Sequence, residues 1–321
     1  MDISVVAAAR EDDHPPVEAV AVASLADELG YREVWLGEGP TWDAFALAAA
    51  IGQITDRIAM TAGPVAVSVR DPATIARGAA SVEALTGRPI GVALGTSSNR
   101  VVEGVHGRSR ARASAVLAES ASAVRALLDA PWPEPPGEIV PTHGFRRRLP
   151  PATGPLTVAA VGDKAIAVAA RHADRMLLDL VPPEQVATLR RKLDAAASRA
   201  GRTPPRLAAW LPAAVDPTSE SIAEILRAIA SYLTVRGYRE VFAAAGLTRA
   251  LELARAHAEP GKLLDALPEE AAGTVGLVGG LATIRARLDA YAAAGLDEVA
   301  IVPATHGDPR GERTLTALSH L

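Results

Sequence analysis

The sequence sets a carboxylate and an indole close together in Gly37-Glu38-Gly39-Pro40-Thr41-Trp42-Asp43. Glu38 can give or take a proton, and Trp42 offers a flat apolar face to a planar ligand. The plainer alternative is that Asp43 caps the helix after it while Trp42 covers a rim. A second group, Gly95-Thr96-Ser97-Ser98, combines small residues with hydroxyls and leaves backbone N–H groups open. Such a turn can hold a phosphate or a ring carbonyl, or simply cap the next helix. Gly63-Pro64 interrupts an otherwise clean β-like run. Proline removes a ladder donor there, so a bulge or kink is expected. Val161-Gly162, closing another apolar run, is the fourth candidate segment.

Other chemistries find less support. The seven His are scattered, with neither His-x-His nor His-Glu-x-x-His spacing, so no metal site is expected. Without Cys there is no disulfide, zinc ribbon or thiol nucleophile. Neither a Gly-x-Ser-x-Gly elbow nor a P-loop is present. His106 reads as a helix-end residue at least as readily as a functional one. Arg108, Arg110 and Arg112, like Arg146, Arg147 and Arg148, read as solvated faces or as a clamp for a polyanionic cofactor tail. A formal charge of -4 argues against a nucleic-acid partner. The opening residues lack a signal-peptide pattern, and no apolar run is long enough to span a bilayer. A cytoplasmic protein with no membrane partner is the expectation.

These segments must be positioned by something regular. Apolar β-like runs at Ile3–Ala9, Glu33–Leu36, Ile58–Val67, Pro89–Leu94, Leu156–Val161, Arg175–Val181, Leu207–Val215 and Glu298–Val302 alternate with helical patterns. Gly30 marks a helix stop, and Asp71-Pro72 pairs a cap residue with Pro at the first helical position. Strand–helix units of roughly 30 residues imply parallel strands covered by helices. With 321 residues and 49% hydrophobic content, dominated by small aliphatics, the chain fits an α/β (β/α)8 TIM barrel of one domain, 1–321. Pro131–Pro155 reads as one insertion, and a long helical stretch over Ser219–Leu267 as part of a second, about 219–276. In such barrels the strand C-terminal ends carry the function, which singles out Gly37–Asp43, Thr61–Arg70, Gly95–Gly107 and Val161–Lys164.

At these same places the chain resembles the bacterial luciferase-like superfamily, and within it the coenzyme F420-dependent oxidoreductases. The resemblance lies in Glu33-Val34-Trp35-Leu36-Gly37-Glu38 with Trp42-Asp43, in Arg70-Asp71-Pro72-Ala73-Thr74-Ile75-Ala76, and in Gly91-Val92-Ala93-Leu94-Gly95-Thr96-Ser97-Ser98. Val102-Glu103-Gly104-Val105-His106-Gly107, Ala159-Ala160-Val161-Gly162 and Ala294-Gly295-Leu296-Asp297-Glu298-Val299 extend it in order. It implies a flavin or deazaflavin bound at the barrel mouth. Glu38 then stands where some members keep a catalytic His or Asp, and Trp42 where an aromatic lies beside substrate and ring. Gly63-Pro64 falls on a strand bulge that in many relatives contains a cis peptide backing the ring. Thr96, Ser97 and Ser98 match the turn contacting the cofactor, with Gly95 ending the strand before it; Val161 and Gly162 lie near its phosphate-bearing chain. Ser98 replaces the Glu of the family's sugar-phosphate dehydrogenases, which argues against that activity.

The resemblance thus implies an F420-dependent oxidoreductase moving a hydride to or from a small organic substrate. An FMN-dependent monooxygenase is the alternative, and a non-catalytic flavin- or deazaflavin-binding protein a third reading. The Ser219–Leu267 stretch is expected to form a homodimer surface or a lid.

Overall fold

The computed structural model describes residues 1–8, 17–39, 42–130, 137–140, 144–146, 148–235 and 237–321. The Arg10–Asp13 stretch, Pro40, Thr41, Pro131–Pro136 and Arg147 lie outside them. The strands are β1 (Asp2–Ala7), β2 (Glu33–Leu36), β3 (Ala59–Ala66), β4 (Ile90–Gly95), β5 (Leu156–Ala159), β6 (Arg175–Asp179), β7 (Arg206–Val215), β8 (Leu277–Gly279) and β9 (Glu298–Pro303). Parallel strands alternating with helices make this the expected α/β class, a (β/α)8 barrel.

The chain divides into two compact units. One holds Ser4–Leu177 and Lys192–Arg206, and in it the strands β1 to β6 pair in chain order, each pair parallel. The other holds Met1–Ile3, Leu178–Arg191 and Leu207–Leu321, where β7 pairs in parallel with both β9 and β8.

Local signals set the helix ends. Gly30, at φ 85°, closes the first helix while the Tyr31 amide donates back to the Ala26 carbonyl. The Asp43 carboxylate accepts from the Phe45 and Ala46 amides, so its capping role is real. Asp71 accepts from Thr74 N, ahead of Pro72 at the first helical position. One side chain organises a β-strand start in the same way. Asp27, at the end of the first helix, accepts from the amides of Asp56, Arg57 and Ile58.

Two regions depart from the sequence reading. The Ser219–Leu267 stretch is four helices, Ser219–Tyr232, Tyr238–Ala244, Thr248–Arg255 and Pro260–Asp265. Left-handed backbone at Gly237, Gly246 and His257 breaks it, and Pro260 opens the last helix. Strand β8 was not expected, being three residues long with Gly at its end. Among the described residues it adds one strand to the eight read from the sequence.

The most consequential packing feature is a buried polar knot. Arg175 opens β6 and Glu33 opens β2, and they meet bidentately, at 2.8 Å and 2.7 Å. The guanidinium also donates to Thr157 on β5 and Thr61 on β3. It lies 3.9 Å over the ring of Trp35, whose indole N–H donates to Ser4 on β1. Three strands separate β2 from β6, so in a flat sheet they would stand roughly 19 Å apart at ordinary strand spacing. Direct contact between their side chains therefore requires this part of the sheet to curl. Trp35 is fully buried within this arrangement and is a core residue.

Replacing Arg175 by Met strands Glu33 beside the core. Urea denaturation should show a loss of about 3–5 kcal/mol, with much of it recovered when Glu33 is also made apolar.

Candidate active site

The site is assembled at the C-terminal ends of β2 to β5, all within the first unit. Strand β2 ends at Leu36, and Glu38 follows as a half-buried carboxylate. Arg70, just beyond β3, grips it from two directions: Nε donates to Oε1 at 2.9 Å, and the terminal nitrogen lies 2.6 Å from Oε2. That nitrogen also reaches Asp43 Oδ2 at 2.5 Å. Asp43 therefore caps its helix with one oxygen and holds Arg70 with the other. Desolvation works to raise the Asp43 pKa, but the bonds from Arg70 and from the Ala46 and Phe45 amides prevail and hold it below the ordinary carboxylate range. The ring of Phe45 supports the same guanidinium, 5.6 Å from its centre. Trp42 lies half-buried immediately before the cap.

Strand β3 bulges where the sequence predicted. Its register with β4 shifts between Ala62 and Val65, across the cis Gly63–Pro64 peptide. Gly63 has φ 112°, and a Cβ there would collide with the Ala93 carbonyl oxygen. Pro64 in turn packs on Gly95, where an added Cβ would approach its ring to 3.3 Å. The Val67 amide then donates to the Gly95 carbonyl, so Gly63, Pro64 and Gly95 form one joint between neighbouring strands.

The Thr96-Ser97-Ser98 turn leaves β4 from that joint, with Ser97 in left-handed backbone at φ 54°. Ser98 serves the capping alternative, its hydroxyl accepting from the Val101 amide at 3.3 Å. Arg110 braces the other two, donating to the Ser97 carbonyl at 2.8 Å and the Thr96 hydroxyl at 3.1 Å. It is thus committed to the turn, whereas Arg108, Arg112, Arg146 and Arg148 are exposed. His106 is exposed at the end of a π-helical turn, Arg100–Val105. Strand β5 runs beside β4, and Val161 and Gly162 follow its end, with Gly162 the N-cap of helix Asp163–His172. No direct contact joins that pair to the Thr96–Ser98 turn among the bonds described; adjacent strands bring them to neighbouring positions.

Two participants lie within the Thr61–Arg70 segment but were not singled out by residue. Arg70 stood in the sequence as the end of that segment and the residue before a helix cap, and its pairing with Glu38 is a tertiary fact. The other is Ser68, in the turn after β3, whose buried hydroxyl has no hydrogen-bond partner. Buried hydroxyls are ordinarily satisfied, so this one stands out in the turn that follows the bulge. No group of three or more potential metal ligands occurs among the described residues. No helix among them is long and apolar enough to cross a membrane.

Comparison with known proteins locates this architecture. The sequence model of the luciferase-like monooxygenases matches residues 1–298. A Mycobacterium tuberculosis protein described as a coenzyme F420-dependent oxidoreductase is 27% identical over 201 residues, 58% of each chain. The match thus spans just over half the length of that curated relative. Among solved structures, the coenzyme F420-dependent tetrahydromethanopterin reductase of Methanopyrus kandleri superposes with a TM-score of 0.82, at 16% identity over 99% of this chain and 98% of the other. The FMN-bound oxygenating component of 3,6-diketocamphane monooxygenase from Pseudomonas putida gives 0.67, at 14% identity over 99% and 96%. At such identities the superpositions establish the fold.

Arg70→Ala leaves Glu38 and Asp43 facing a gap with no shared cation. Chemical denaturation should show a loss of about 2 kcal/mol. Arg70→Lys should restore only part of it, because a lysine cannot fork between two carboxylates.

Proposed function

The chain belongs to the luciferase-like monooxygenase family, and from that premise we propose that it is an oxidoreductase using the deazaflavin coenzyme F420 on a small organic substrate. The observation that carries the reading is the unpartnered Ser68 hydroxyl, set between the β3 bulge and Arg70. Gly63, Pro64 and Gly95 would hold a planar ring, and Ser68 would offer it a free hydroxyl. The residues present fit such a group: a flat apolar joint, a braced hydroxyl turn and an indole edge. A bound deazaflavin supplies two-electron hydride transfer.

In this reading Trp42 covers the ring and orients the substrate against it. Thr96 and Ser97, held by Arg110, present a hydroxyl and backbone groups to the ring's polar edge. The open backbone at Val161 and Gly162, leading into a helix N-terminus, receives the phosphate-bearing chain. Glu38 exchanges the substrate proton, with Arg70 fixing its carboxylate in one orientation. The same reading takes 1–321 as a single working domain with insertions at about 131–155 and 219–276, acting in the cytoplasm.

The resemblance of the M. tuberculosis relative favours F420 over FMN; the FMN-bound neighbour supports the monooxygenase as second reading. Titrating the purified protein with F420 and FMN separately, by fluorescence, decides between them. Micromolar binding of F420 with weaker FMN binding is the expected result. The reverse order selects the monooxygenase, and binding of neither refutes both. F420 binding without turnover on a panel of carbonyl compounds, enones and alcohols would instead favour a carrier.

Glu38→Gln should lower kcat by about 10²-fold or more and remove one limb of the pH–rate profile, with cofactor affinity retained. An unchanged profile would exclude Glu38 from proton transfer.

A further inference from the structure

The turn that leaves β4 is lopsided in its hydrogen bonding. Its acceptors are largely taken up by the protein. The Gly95 carbonyl accepts from the Val67 amide at 3.1 Å, and the Ser98 carbonyl accepts from the Val102 amide at 3.0 Å. Arg110 donates to the Ser97 carbonyl at 2.8 Å and to the Thr96 hydroxyl oxygen at 3.1 Å. The Ser98 hydroxyl oxygen accepts from the Val101 amide at 3.3 Å. Among the described bonds, only the Thr96 carbonyl and the Ser97 hydroxyl of this stretch accept nothing.

The donors stand the other way. Among the described residues, none accepts a hydrogen bond from the amides of Thr96, Ser97 or Ser98, although all three residues are half-buried. Backbone N–H groups withdrawn from water are ordinarily paired. The helical turn that follows does not use them, because its Val101 and Val102 amides are bonded to Ser98. Guanidinium and amide groups can only donate, so the oxygens of Thr96 and Ser98 act toward them as acceptors. Each hydroxyl proton is then turned elsewhere, and neither meets a protein acceptor among the described bonds. Donation from Arg110 into the Thr96 oxygen also makes that hydroxyl a stronger donor. Ser97 sits in left-handed backbone at φ 54°, a conformation that lets successive amides converge on one anion.

A turn with most acceptors occupied and its donors open favours a ligand atom that only accepts. We propose that Thr96, Ser97 and Ser98 form a donor cradle for a negatively polarised oxygen of a carbonyl, carboxylate or phosphate group. Arg110 is its positioning residue. It fixes the polarity by occupying the Thr96 and Ser97 oxygens, and it acts on the ligand through the turn. A ligand N–H group is disfavoured at the same place, because the three amides cannot accept it. Assigning that oxygen to the cofactor ring rests on the reading above. The cradle itself rests only on bonds within the first unit.

NMR of the full chain, isotopically labelled at its Thr and Ser amides, tests this with sulfate, whose oxygens only accept. Sulfate is titrated against chloride at constant ionic strength. The Thr96, Ser97 and Ser98 amide protons should move downfield together and saturate at millimolar sulfate. Thr96→Val should weaken that binding about tenfold, and Thr96→Ser should restore it. Arg110→Met should weaken it as well, with Arg110→Lys recovering part. Adding F420 or FMN then identifies the source of the oxygen. A cofactor that moves the same amides and expels sulfate supplies the oxygen itself, whereas sulfate that still binds beside the cofactor marks a place for the substrate's oxygen. Sulfate binding in a protein that takes neither cofactor refutes the cofactor reading and leaves the cradle standing. The cradle is overturned if none of sulfate, F420 and FMN moves these amides saturably, or if Thr96→Val leaves the affinity unchanged. Should Thr96→Val not fold, Ser98→Ala provides the same comparison at the second hydroxyl.

Discussion

The contact between Arg175 and Glu33 is the constraint on which the first unit's geometry rests. A guanidinium buried to 4% exposure must satisfy its donors, and here they are spent on Glu33, Thr61 and Thr157 from three strands. Its flat face is covered by Trp35. Each partner comes from a different strand, so the satisfied state exists only when the sheet has its native curvature and register. A slip of one residue on β2 would turn Glu33 and Trp35 to the opposite face together, because side chains alternate with a period of two. The knot works as a register lock, and the strand ends that carry the candidate site inherit their positions from it.

The same strand carries two carboxylates with different roles. Glu33 opens β2 and is gripped by Arg175 in the interior; Glu38 lies just past its end and is gripped by Arg70. Both are fixed by a forked guanidinium contact, which restricts orientation more than a lysine would. The interior pair shapes the sheet, while the exit pair holds its carboxylate at the loops that leave β2 and β3. Position along the strand separates the two roles.

Much of this was legible in the sequence, because local chemistry decides it. The strand runs, the Asp43 and Asp71 caps, the Gly30 stop and the bulge at Gly63-Pro64 each follow from a residue's own backbone preferences or hydrogen-bonding capacity. The breaks at Gly237 and Gly246 were readable in principle, but an alanine- and leucine-rich background hid them. Long-range partnerships were not legible. Nothing near Arg175 announces Glu33, and nothing near Arg110 announces the Thr96–Ser97 turn. Strand β8 is three residues long and gains its identity from β7 beside it.

Asp43 has a consequence that reaches beyond electrostatics. One of its oxygens holds the Phe45 and Ala46 amides and the other holds Arg70, so a single rigid carboxylate joins a helix terminus to the ion pair at the strand exits. Anything that draws Arg70 away tilts that carboxylate and loosens the first turn of the helix. Solvent exchange of those two amide protons would then report a displaced Arg70 that they do not touch.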